Sequence, residues 1–277
     1  MTEVSNGEKH PQLPHDIHQQ LAECGFIGIS FPEEYNGLGM GHVEQAIVIK
    51  ELSRISPSVG KCLDVYILGL EALDLYASPE QKEKYLAPCC SGEQTVSFAF
   101  TEPDTGSDPK MLKTRLEKQA DGTYILNGQK TWVTQGEVFP YVLVIAKDED
   151  PDPKNRDMTM WLVPRELEGV STAPLHKLGQ QIIPFCEMYS DDVVLTEDMR
   201  VGDTGKGFYN LMKNYEMERC LIIAQTLGCA QAAMDDAAAY VNERITMGKP
   251  LAARQLIQEK LTEMETNLQN TRNMLYK

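Results

Sequence analysis

The 277-residue sequence has no apolar run near the ~20 residues a membrane span needs, so no transmembrane helix is expected. Its first residues, MTEVSNGEKHPQLPHD, hold no apolar stretch of the kind a secretory signal requires. Basic residues are scarce: 26 Lys and Arg stand against 41 Asp and Glu, a formal net charge of −15. Nucleic acid and anionic membrane both call for a basic surface, so neither is an expected partner. A phosphate-bearing ligand stays open, because clustered backbone N–H groups or one placed Arg bind phosphate inside an acidic protein. The seven cysteines (Cys24, Cys62, Cys89, Cys90, Cys186, Cys220 and Cys229) include no CxxC spacing. Reduced thiols in a cytoplasmic protein are the simplest reading, and no metal site is expected. There is no internal repeat and no low-complexity tract. The hydrophobic fraction, 42%, is that of an ordinary globular protein, and the length suggests two or three domains.

The chain reads as three domains, 1–92, 93–202 and 203–277: helical from residue 11 to about 92, all-β, and helical. In the first, Leu21 and Ala22 lead through a helix end at Gly25 to Ile27 and Ile29, read as a short extended piece. Phe31-Pro-Glu-Glu-Tyr-Asn-Gly-Leu-Gly is a Gly/Pro-rich loop. His42 to Ile55 is amphipathic at helical period, and Ser58 to Tyr76 is a long apolar helix candidate. Ser78-Pro79-Glu80 has N-cap, N1 and first-turn chemistry for the next. In the middle block, QTVSFAF, TYILNGQK, YVLVIAKD, MTMWLVP and EMYSDDVVL are short β-branched or aromatic runs. Asp121-Gly122 and Asn127-Gly128 read as turns between extended runs. The last block carries a helix over Gly207–Glu243, with small residues such as Ala224, Gly228 and Ala232 that permit close packing. Met247-Gly248-Lys249-Pro250 breaks it, and Leu251–Lys277 is a second long helix. The chain stops in Leu275-Tyr276-Lys277 without a cap, and two helices rarely cover each other's apolar faces, so the sequence reads as cut short, with a partner chain supplying the missing surface as the alternative.

The chemistry concentrates in the middle block. Phe98-Ala-Phe-Thr-Glu-Pro-Asp-Thr-Gly-Ser-Asp108 ends a strand in a loop whose N–H groups and hydroxyls suit a pyrophosphate or a flavin edge. The bland alternative is a polar hairpin loop. One hairpin later, Gly128-Gln-Lys-Thr-Trp-Val-Thr134 puts Trp132 and Thr134 two residues apart on a strand, hence on one face. A ring plus a hydroxyl can stack on and hydrogen-bond to an isoalloxazine; the commoner role for such a Trp is core packing.

This pair of motifs resembles the flavin-binding signature of the acyl-CoA dehydrogenases. The loop from Phe31 and the stretch Asn242-Glu-Arg-Ile-Thr-Met-Gly-Lys-Pro-Leu251 are similar to the family's other loops. The resemblance implies an α+β multidomain fold: an N-terminal helical domain, a central β-barrel-like domain, and a C-terminal helical bundle, incomplete here. It implies FAD as cofactor, held by Phe98, Thr101, Gly106, Ser107, Trp132 and Thr134. Arg244, Thr246 and Gln255 match positions that reach the FAD of a neighbouring subunit, implying a homodimer or homotetramer. An acyl-CoA substrate and an electron-transfer flavoprotein are the implied partners. Met247 departs from the family's usual Phe, and a change in packing is expected from it. Asp104-Thr105 replaces a small pair, and Asp104 is expected to face solvent.

The family's reaction removes a Cα proton and passes a Cβ hydride to flavin N5, which needs a partly desolvated carboxylate near Cα. Many members place that Glu in C-terminal helices beyond this chain's end. Others, of isovaleryl-CoA type, place it on the first long bundle helix just before an Arg, where this sequence has Glu218-Arg219. Glu218 is thus the candidate base, a surface carboxylate the alternative. Tyr215, Arg219 and Ser107 are candidate substrate contacts. Glu216 sits about 200° around the helix from Glu218. Within the family, Arg244 through Gln255-Leu-Ile-Gln-Glu-Lys to Asn273-Met-Leu-Tyr resembles the crotonobetainyl-CoA reductases, which implies a short or carnitine-related acyl chain. The competing readings are a flavin oxidase or monooxygenase on the same scaffold, and a non-catalytic fragment or assembly subunit.

Overall fold

The structure, a computed structural model, describes residues 15–149 and 158–277. Residues 11–14, read as helical from sequence, lie outside those described. Helix α1 (His15–Glu23) ends as Gly25 turns left-handed (φ 70), its N–H donating to the Ala22 carbonyl. The residues after it are turns rather than an extended piece. Their carbonyls are taken by the Gly/Pro-rich loop folding back, with Leu38 N–H on Gly28 O and Met40 N–H on Ile29 O.

Helices α2 (His42–Ile55) and α3 (Pro57–Tyr76) follow the apolar periodicity, as do α6 (Gly207–Glu243) and α7 (Gln255–Leu275). Ser78 caps α4 (Pro79–Gln81) reciprocally: Gln81 N–H donates to Ser78 Oγ, and Ser78 N–H to Gln81 Oε1. A π-turn (Lys82–Leu86) then leads into α5 (Ala87–Cys90). Among the described residues no helix is long and apolar enough to cross a membrane.

The middle block folds as an eight-stranded sheet. The strands are β1 (Val96–Ala99), β2 (Arg115–Lys118), β3 (Tyr124–Thr134), β4 (Tyr141–Asp148), β5 (Met158–Pro164), β6 (Val170–Leu175), β7 (Phe185–Leu195) and β8 (Arg200–Val201). The order is β6-β7-β3-β2-β4-β5-β8, with β1 parallel to β4. Alternate residues Val142, Val144 and Ala146 of β4 join Trp161, Val163, Cys186, Met188, Val193 and Leu195 in one apolar core. β2 and β6 have no apolar run and are not among the strands expected from sequence.

Asn127-Gly128 is not a turn. It lies inside β3, where the register against β7 shifts between Leu126 and Gly128. The extra residue is on β7, where Asp192 has φ 51; Asn127 Nδ2 donates to Asp192 Oδ1 and Asp192 N–H to Asn127 Oδ1, both at 2.9 Å. Gly128 has φ 150, and a Cβ there would stand 2.6 Å from the Thr114 backbone, so a bulge rather than a hairpin explains the glycine.

The described residues divide into two compact units, 15–40 with 65–149 and 158–216, and 41–64 with 217–277. In the second, α2 meets α6 at Gly228, where a Cβ would come 2.1 Å from the Lys50 carbonyl oxygen. Gly228→Ala forces the two backbones apart and is expected to cost about 1–3 kcal/mol, measurable by chemical denaturation. The break after α6 is a small hairpin of β9 (Ile245–Thr246) and β10 (Lys249–Pro250), turned through Met247 (φ 51) and Gly248 (φ 74).

Candidate active site

In the first unit, β1 runs into a tight turn. Glu102 N–H donates to Thr105 O and Thr105 N–H to Glu102 O, so Pro103 and Asp104 form the tip. Asp104 is exposed and pairs with Lys113 at 2.6 Å. Gly106 and Ser107 follow, both exposed. A Cβ on Gly106 would meet only the Thr101 methyl, at 3.9 Å, so the glycine leaves open space in front of the loop. Among the described residues, the hydroxyls of Thr101, Ser107 and Thr134 and the N–H groups of Gly106 and Ser107 have no protein hydrogen-bond partner. Asp108 closes the loop by accepting from the Lys110 N–H.

Trp132 lies on a second bulge. Lys130 pairs with Met188 and Val133 with Cys186, which inserts one residue into β3. Trp132 takes φ 58, uncommon for a bulky residue, at a cost of about 1–3 kcal/mol. It is 53% exposed, whereas Trp161 is buried in the sheet core; the core role belongs to Trp161. The Trp132 ring meets Phe185 edge-on at 6.5 Å, and Phe185 is the cross-strand partner of Thr134. Ring and hydroxyl therefore share one face. Two further contacts tie this strand to β1 and its loop: Ser97 Oγ of β1 donates to Thr134 O, and Thr131 N–H to Thr101 O of the loop. Phe98, half-buried, lies 6.4 Å from the Tyr215 ring.

Beneath this face lies a pair the sequence reading missed. Lys130 and Glu102 are buried and joined at 2.9 Å. Lys130 Nζ also donates to the Phe100 carbonyl, and Glu102 accepts the N–H groups of Lys113 (2.6 Å) and Thr114 (2.9 Å). Burial pushes the Glu102 carboxyl up, but the Lys130 charge and these donors outweigh it and hold the group below its ordinary range. Burial carries the Lys130 ammonium down to about 8, with Glu102 opposing. The pair is ionised at neutral pH.

In the second unit, Glu218 is half-buried on α6. Burial first, and the charge of Asp64 next, raise its carboxyl above the usual range; Lys61 and Arg219 only partly oppose. Asp64, on α3, is itself buried. Its Oδ2 accepts from Lys61 Nζ at 2.5 Å, while Oδ1 has no partner. Burial raises this carboxyl too. An acid inside the apolar run of α3, three residues from a Lys, was a legible signal that went unused. Arg219 is exposed. Arg244, just before β9, and Gln255, at the start of α7, are exposed, and Thr246, the last residue of β9, is half-buried; Arg254 Nη2 braces the hairpin through Thr246 O. Met247 is 93% exposed at the tip and packs on little within this chain. Glu216, in the first unit, is exposed and ion-paired to Lys213 at 2.7 Å.

Family models described as acyl-CoA dehydrogenase N-terminal, middle and C-terminal domain match residues 2–93, 97–193 and 205–277. Probable acyl-CoA dehydrogenase YdiO of Escherichia coli (strain K12) is 35% identical over 276 residues, 98% of this chain and 70% of that protein. The chain belongs to the acyl-CoA dehydrogenase family. Butyryl-CoA dehydrogenase from Megasphaera elsdenii superposes with a TM-score of 0.93 at 29% identity, over 99% of this chain and 73% of that one. An acyl-CoA dehydrogenase complexed with FAD, from Bacillus anthracis, gives 0.87 at 29% identity, over 94% and 44%. Acyl-CoA dehydrogenases are flavin-dependent oxidoreductases of CH–CH bonds, and the α+β architecture described above is theirs. The exposed Trp132, the unpaired hydroxyls and the open Gly106 are features that fit a flavin.

Proposed function

We propose that the chain is an FAD-dependent acyl-CoA dehydrogenase or enoyl-CoA reductase that uses Glu218 as its base. The observation that carries the flavin part is Trp132: a large ring held out on a strained bulge, beside the unpaired hydroxyl of Thr134. Phe98, Thr101, Gly106, Ser107, Trp132 and Thr134 hold the cofactor. Arg244, Thr246 and Gln255 serve the FAD of a neighbouring copy in a homodimer or homotetramer, the fixed guanidinium suiting a diphosphate. Bound FAD supplies a hydride acceptor. Glu218 accepts the Cα proton, its raised affinity bringing it toward the operating pH. Ser107, Tyr215 and Arg219 orient the thioester. An electron-transfer flavoprotein is the proposed electron partner, and the cytoplasm the proposed location.

The acyl chain is short or carnitine-related, as in crotonobetainyl-CoA. The sequence similarity of the stretch from Arg244 to Tyr276 supports this assignment. The test is in two steps. Purified protein is expected to be yellow and to release FAD on denaturation; a colourless protein that takes up no added FAD supports the non-catalytic reading. Flavin reduction is then compared between γ-butyrobetainyl-CoA and butyryl-CoA, with the cationic thioester expected to act faster; the reverse order removes the carnitine-related assignment. Trp132→Ala is expected to weaken FAD binding up to about tenfold, from the ~0.5–1.5 kcal/mol of an aromatic stack, as read by titration of apoprotein.

A further inference from the structure

We propose that the buried Glu102–Lys130 ion pair is a positioning device, which sets the bulge that presents Trp132 and anchors the loop that presents Gly106 and Ser107. The proposal rests on the flavin reading for its consequence and on the geometry of the first unit for its substance. Lys130 is the last residue in register before the bulge, and Trp132 is the residue the bulge throws outward. From that point Lys130 reaches across to the preceding loop, ending on Glu102 at 2.9 Å and on the Phe100 carbonyl at 3.0 Å. Glu102 is in turn pinned by the N–H groups of Lys113 and Thr114, on the far side of the loop. One buried charge pair thus ties together both arms of the loop and the strand that follows. Both side chains are nearly inaccessible, at 2% and 3%, so neither can touch a ligand; they act through Thr101, Gly106, Ser107 and Trp132.

An ion pair suits this task better than apolar packing. Apolar contacts tolerate sliding, whereas four hydrogen bonds on two fixed charges define direction as well as distance. A slip of β3 by one residue would turn Trp132 to the other face and separate Lys130 from its acceptors. The pair therefore opposes loss of the bulge, although the bulge itself holds Trp132 at an unfavourable φ.

The test uses a folded variant that keeps the volume and loses the charges. In Glu102→Gln/Lys130→Met, the amide oxygen still accepts from the Lys113 or Thr114 N–H and the thioether fills the lysine's space. A second variant, Glu102→Asp, keeps the charge and withdraws it by one methylene. Two readouts are taken on whichever of them is folded by circular dichroism. The first, on apoprotein, is acrylamide quenching of tryptophan emission, which reports Trp132 because Trp161 is buried. The second is the dissociation constant of FAD. The expected result is a folded variant whose quenching differs from the parent's by a factor of two or more and whose FAD binding is weakened at least tenfold. A folded variant with the parent's quenching and FAD affinity overturns the proposal. If the parent itself binds no FAD, the flavin reading fails, and the quenching measurement alone still decides whether the pair positions Trp132.

Discussion

Glu218→Gln is expected to leave FAD and acyl-CoA binding intact and to slow reduction of the flavin by substrate roughly 10²–10⁴-fold. The amide has the shape of the carboxylate and cannot accept a proton. Glu216→Gln is the internal control and should be nearly silent, since Glu216 is exposed and paired to Lys213. The pH profile adds a second signature. Glu218 must be deprotonated to act, and burial with Asp64 nearby raises its pKa above the ordinary 4.5. The reduction rate should therefore fall on acidification with a midpoint above 4.5, and that limb should vanish in Glu218→Gln. Asp64→Asn should shift the midpoint downward, because the neighbouring negative charge is gone. If Glu218→Gln reduces flavin at the parent's rate, the base is another carboxylate.

Lys130→Met should be strongly destabilising. It strands the Glu102 carboxylate in the interior, and losing one partner of a buried pair costs about 3–5 kcal/mol. At this chain size that lowers Tm by roughly 10 °C. The acid limb moves as well. In the parent, the Glu102 carboxyl lies below its ordinary value in the folded state, so its contribution is complete above pH 4.5. It is lost as pH falls from 4.5 through the folded value. Without Lys130, only the Lys113 and Thr114 N–H groups still oppose burial of Glu102, and acid unfolding should begin at higher pH. The neutral double variant should recover most of the loss. A Lys130→Met protein with the parent's Tm and acid midpoint would show that the pair carries no stability.

The helices were readable because their signals are local. α2 and α6 follow the apolar period between clear stops, and Ser78-Pro79 announces a cap that forms. β4 and β5 were readable for the same reason, each being a short run rich in apolar residues. What escaped depends on partners distant in sequence. Asn127-Gly128 has the composition of a turn, and only the clash with Thr114 and the bonds to Asp192, 65 residues on, make it a bulge. The i, i+2 spacing of Trp132 and Thr134 suggested a shared face, but the spacing carries no hint of the left-handed residue that exposes the ring. Glu102 and Lys130 both lie inside the motifs that were read for ligand contacts, yet they pair with each other across 28 residues. A buried charge is invisible to pattern reading when each partner alone looks like a surface residue. Asp64 differs: an acid within an apolar helix was a local anomaly in plain view.

One absorbance trace decides whether these residues hold a flavin and take a proton from the Cα of a coenzyme A thioester. FAD-loaded protein is mixed anaerobically with a saturated acyl-CoA, and the oxidised flavin band is followed. Bleaching by the thioester is expected, with none by coenzyme A alone. A yellow protein whose flavin stays oxidised with short, branched and cationic acyl-CoA thioesters, yet bleaches with dithionite, would contradict it.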